Sequence, residues 1–189
     1  MFAGPGPCKA FPCLSALLLL TATSTGCVSV PDAPREPDVQ ALRLALISLG
    51  PAVSGTEADR VARCAYQHSR ELAREYRVVR PPFLHNSLIN LGLKERGLCY
   101  QWAEDLLNRL RKLATESLEL RWGKARAGTW REHNSVVVTA VGAPFETGIV
   151  LDPWRRSGRL VWQPVRTDKY PWQEVDPPWP PPAIESARE

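Results

Sequence analysis

Histidine is scarce in this chain: there are three in 189 residues, so chemistry that needs an imidazole must draw on His68, His85 or His133. A zinc site would have to draw on Cys99, His133 and Asp152, with no second histidine or cysteine spaced to help, and no cofactor signature is present, so neither a metal nor a cofactor is expected. Blocks of Lys and Arg are also missing. The net charge of +4 comes from cations scattered along the chain, without the basic stripe or module signature that tracks phosphates, which argues against nucleic acid as a partner. No apolar run reaches the roughly 20 residues that span a bilayer, and no internal repeat is visible. A composition 44% hydrophobic and 23% charged excludes a disordered chain and leaves room for one globular domain.

The front of the chain reads as a targeting segment. Lys9 is its only charge before an apolar run from Leu14 to Leu20, too short to cross a membrane and suited to a signal-peptide core. Small residues follow, ending in Gly26-Cys27. This stretch resembles a bacterial lipoprotein signal over residues 1–26, in which the Cys after a small residue is lipidated; Ser24 stands where such signals usually carry a Leu-like residue. Plain secretion and an uncleaved anchor are the other readings. A lipidated Cys27 would give the chain a membrane partner through its lipid and a place at the cell envelope, facing the periplasm or in the outer membrane. Of the five cysteines, Cys8 and Cys13 would leave with the signal, so the body of the protein keeps Cys64 and Cys99.

Residues 27–37 are rich in proline and charge, as a tether is, and residues 38–176 read as a single α+β domain before a proline-rich tail, 177–189. A first helix is expected over 38–49, ended by Gly50-Pro51, and a second over 56–76, with Val61, Cys64, Ala65, His68, Leu72 and Tyr76 as its buried stripe. Pro81-Pro82 opens a loop that holds His85, Asn86 and Asn90. A third helix is expected from Cys99 to about Thr115, entered through Gly97. Strand-like stretches follow over 118–122, 134–141, 145–152 and 159–165. Helices first and an antiparallel sheet after is the α+β pattern.

A helix start favours a thiolate, because its unpaired N–H groups and dipole are positive. Cys99 holds such a place, three residues before Trp102 and on the same packed face. A base and an orienting carboxylate are then needed. His133 opens one strand and Asp152 closes the next. A two-residue turn at Gly142-Ala143 would set Val141 opposite Pro144, Val137 opposite Gly148 and His133 opposite Asp152, on one face of the sheet. The same register puts Val136, Val138, Phe145, Ile149 and Leu151 on the other face. Pro144 fits only an edge or a turn, and a longer loop would shift the pairing.

Gly97-Leu98-Cys99-Tyr100-Gln101-Trp102 at a helix start, His133 at a strand start and Asp152 at the next strand's end resemble the transglutaminase-like branch of the papain-like cysteine hydrolases. The resemblance covers roughly residues 91–172. It implies a helix carrying the Cys packed on an antiparallel sheet, and a triad of Cys99, His133 and Asp152. It further implies attack on the amide carbonyl of a peptide or protein, and a thioester that water or an amine resolves. The Cys99 N–H would give one oxyanion donor, with Asn90 or Asn86 as candidates for the other. Four plainer readings stand beside this: Cys99 joined to Cys64 in a disulfide, Cys99 as a core residue, His133 as a structural residue at a strand edge, and Asp152 merely starting a turn. At the level of function the alternative is a catalytically silent module of the same fold that binds a peptide or protein partner.

Overall fold

The computed structural model describes residues 34–176, together with Met1. The signal segment, Cys27, most of the tether and the tail from Pro177 lie outside the described residues. Helix α1 (Glu36–Ile47) starts two residues earlier than expected, with Pro37 in its first turn, where no N–H is missed. Helix α2 (Gly55–Glu75) is capped by the Ser54 hydroxyl, which accepts from the Glu57 N–H at 3.4 Å. Of the expected stripe, Val61, Ala65, Leu72 and Tyr76 are buried, together with Ala58, Ala62 and Ala73, but Cys64 and His68 sit at the stripe's edge, half-buried. Helix α4 (Cys99–Arg111) buries Trp102, Ala103, Leu106, Leu107 and Leu110.

The stretch after Pro81-Pro82 is not a loop. It forms helix α3 (Pro82–Asn90), with Pro81 extended at the cap and Pro82 at the first helical position. Proline breaks a helix from inside but is pre-shaped for its first turn. The pair therefore starts a helix here rather than preventing one.

Five antiparallel strands follow: β1 (Leu118–Ala125), β2 (His133–Ala140), β3 (Ile149–Asp152), β4 (Val161–Pro164) and β5 (Trp172–Val175). They lie in the order β4-β3-β2-β1-β5. Strand β5 had no counterpart among the expected strands. Strand β2 is central and buried at seven of its eight positions, which is why its Val136-Val137-Val138 run does not alternate with polar residues. One face of the sheet, with Trp122, Val136, Val138, Ile149 and Leu151, packs on Ala103, Leu106 and Leu110 of α4 and on α1 and α2. The other face holds Ala125, Val137, Phe145, Val150, Val165 and Trp172.

The β2–β3 connection differs from the expected two-residue turn. Residues 145–147 form a 3-10 turn and pairing starts only at Val138↔Ile149, continuing to Val136↔Leu151. Pro144 has no N–H to give a ladder, so the chain loops out between 141 and 148. Phe145 consequently lies on the Val137 face, not on the Val136 face. The pairing is displaced by two residues from the expected register. A displacement of two leaves every strand side chain on its original face, so His133 and Asp152 still share one side. They meet diagonally rather than directly.

Candidate active site

Cys99 is the first residue of α4, and the three residues before it are pinned. Gly97 has φ +128°, a conformation open to glycine, and a Cβ there would lie 2.3 Å from His85 Nε2. His85 is buried and satisfied on both ring nitrogens. Nδ1 accepts from the Val79 N–H at 3.2 Å, so Nε2 carries the proton and donates to the Arg96 carbonyl at 2.9 Å. Trp102 Nε1 donates to the Gly97 carbonyl at 2.9 Å. Gln101 Oε1 accepts from the N–H groups of Gly97 and Leu98, at 2.8 and 3.0 Å. Gln101 thus supplies the back-reaching half of a capping box; Leu98 has no polar atom for the other half. With those groups taken, the N–H groups of Cys99 and Tyr100 make no hydrogen bond among the described residues. A thirteen-residue helix is near the roughly 12–15 residues at which an isolated helix is marginal in water. The place of Cys99 therefore depends on the burial of Trp102, Leu106 and Leu110.

His133 is 2% exposed and Asp152 1%. Their contact, His133 Nε2 to Asp152 Oδ2, is 2.6 Å. Asp152 also accepts from the Arg155 N–H at Oδ1 (3.0 Å) and from Arg155 Nε at Oδ2 (3.1 Å). The same guanidinium reaches Asp168 through Nη2 at 2.9 Å. Asp152 does start a turn, as the plainer reading held, and it orients the histidine as well. Arg155 and Asp168 were not legible beforehand; the three-residue offset of Arg155 from Asp152 across Pro153 was the available signal. Trp154, Tyr170 and Trp172 stand around the imidazole, with ring centres 4.8, 4.8 and 5.4 Å away, and keep water from the His–Asp bond.

The opposite nitrogen, His133 Nδ1, is buried and has no hydrogen-bond partner among the described residues. Cys99 lies near enough to His133 to bear on its charge. Burial lowers the affinity of His133 for its proton, but the Asp152 charge and hydrogen bond, and then Cys99, outweigh it and raise the pKa to about 9. Burial also works against the Asp152 carboxylate, and the His133 and Arg155 contacts reverse this and hold its pKa below the ordinary range. The Cys99 thiol is half-buried, with Sγ 3.8 Å from the Glu132 carbonyl and 4.0 Å from Asn134 Nδ2.

Both described cysteines are free, so Cys99 is not joined to Cys64. The Cys64 thiol is pushed up by burial, and Arg109 opposes this only in part. Of the two candidate oxyanion donors, Asn86 accepts from Trp154 Nε1 at 3.2 Å and so steadies the ring over His133. Asn90 is exposed at the end of α3, and no described hydrogen bond ties it to Cys99. His68 pairs with Glu71 at 3.0 Å. Among the described residues no group of three or more His, Cys, Asp or Glu is placed to hold a metal ion, and no helix is long and apolar enough to cross a membrane. No family model, curated protein or solved structure matches the chain.

Proposed function

We propose that the protein is a thiol-dependent hydrolase or acyltransferase that acts on amide bonds of a peptide or protein through Cys99, His133 and Asp152. The observation that carries this reading is the buried His133 Nδ1, without a hydrogen-bond partner and beside the Cys99 thiol, while Nε2 is tied to Asp152. A buried N–H without an acceptor is costly; a thiolate beside it supplies one. The cysteine at a helix start, packed on an antiparallel sheet that carries the other two residues, supports a papain-like core of the transglutaminase-like kind.

In the reaction the Cys99 sulfur forms a bond to the amide carbon, and the carbonyl π electrons move to oxygen. The free Cys99 N–H is one donor for that oxyanion. The C–N bond then breaks, His133 Nδ1–H gives its proton to the departing amine, and a thioester remains. Water or an acceptor amine attacks the thioester, His133 takes the attacker's proton, and the Cys99 thiolate leaves. We also infer that Cys27 carries the lipid that holds this domain at the cell envelope. The competing reading, a silent binding module, draws on exposed apolar side chains at Phe83, Leu91, Leu93 and Trp130, the last 91% exposed.

Acid-quenched incubation with a peptide pool, followed by mass spectrometry of the Cys99 peptide, tests the enzyme reading. The parent should carry acyl adducts on Cys99. They should vanish in Cys99→Ala, and His133→Ala should lower their formation by about 10²–10⁴. Adducts equally abundant in parent and His133→Ala, or none together with no amide cleavage, would favour the binding module.

A further inference from the structure

Asn134 follows His133 on β2 but belongs to the opposite, helix-facing side, where it is buried. The two ends of its amide are told apart by their partners. Trp122 Nε1–H can only donate, and it gives to Asn134 Oδ1 at 3.0 Å. Nδ2 faces two acceptors, Glu132 Oε1 at 3.3 Å and Cys99 Sγ at 4.0 Å. Turning the amide over would set N–H against N–H at Trp122 and oxygen against the Glu132 carboxylate. The amide is therefore held one way round, with an N–H toward the sulfur.

The charges around Cys99 give that donor a use. Glu132 presents its carbonyl to the sulfur and its carboxylate to Asn134, and both disfavour a thiolate. Lys124 offsets part of that charge, from 3.5 Å, as does the Gly128 N–H at 2.9 Å. His133 is the other charged group beside the sulfur. It must release its proton during the reaction, whereas an amide N–H stays in place throughout.

We propose that Asn134 is a further catalytic residue: its Nδ2–H donates to the Cys99 thiolate and, with His133 Nδ1–H, keeps the sulfur charged and aimed. Trp122 is the positioning residue that fixes the amide. The proposal rests on the reading of Cys99 as a nucleophile and adds a contact that no triad motif contains.

Iodoacetamide alkylation of Cys99 in the full chain, followed against pH by peptide mass spectrometry, tests it. Loss of one charge-assisted hydrogen bond in Asn134→Ala should slow alkylation about tenfold at about pH 6. At about pH 10, where free thiols are ionised, the rate should equal the parent's. Asn134→Asp, the same shape with a carboxylate facing sulfur, should be slower still, and Trp122→Phe should fall between parent and Asn134→Ala. If Asn134→Ala does not fold, the isosteric Asp variant decides. Parent-like profiles in the Asn134 and Trp122 variants, with a slowed His133→Ala, would overturn the proposal and leave the nucleophile reading standing. A His133→Ala profile that is also parent-like would overturn both. A lower melting temperature with an unmoved pH profile would make Asn134 a packing residue only.

Discussion

At the scale of single residues, the charge state of His133 decides what the site can do. Its neighbours offset burial and hold its pKa at about 9, so near neutral pH both ring nitrogens carry protons, one for Asp152 and one for Cys99. The same shift is a stability statement. A histidine whose folded pKa is raised stabilises the fold fully below its unfolded value of 6.5, and that contribution is lost as pH climbs through about 9. The melting temperature of the parent should therefore fall between these limits, and His133→Gln should lack that fall. Equal slopes for the two proteins across this range would contradict the His133–Asp152 pairing. Asp152, lowered, acts in the opposite direction: its contribution is present above the ordinary carboxylate range and lost in acid.

At the scale of elements, what was legible in advance depended on whether a local rule acted alone. The amphipathic helices α2 and α4 and the strand character of β2 follow from periodicity and β-branched residues, and they were readable. Helix α3 was not, because the same Pro81-Pro82 pair that ends one segment pre-shapes the first turn of the next. The β2–β3 hairpin was readable in the faces of its paired residues, though not in that of Phe145, and not in its register. Pro144 excluded the tight turn, but nothing local fixed how many residues the wider loop would take. The displacement came to two residues, an even number, and for that reason His133 and Asp152 remained partners. An odd displacement would have put them on opposite faces. The support of the site was hidden for a different reason. His85, Gln101, Asn134, Arg155 and Asp168 act through contacts that bring distant or non-periodic positions together, and, the three-residue offset of Arg155 from Asp152 aside, no spacing announces them. Gln101 is the partial exception, since a Gln three residues into a helix from its cap is a known capping position.

At the scale of the whole molecule, the described body is one α+β unit whose sheet ends in a buried His–Asp pair next to the start of a helix. The inferred lipid at Cys27 and the proline-rich stretch after it would hold this unit off a membrane. Replacing Cys27 with Ser should move the protein from the membrane fraction to the soluble envelope fraction; unchanged fractionation would set the anchor aside. The central claim, that Cys99 and His133 form an activated pair, is tested most directly by competition between the two cysteines of this body. Iodoacetamide at about pH 6, where an ordinary thiol of pKa about 8.5 is almost wholly protonated, should modify Cys99 about a hundredfold faster than Cys64. His133→Ala should remove most of the advantage, leaving the part that Asn134 supplies. Equal modification of the two cysteines, or an advantage undiminished in His133→Ala, would contradict the pair.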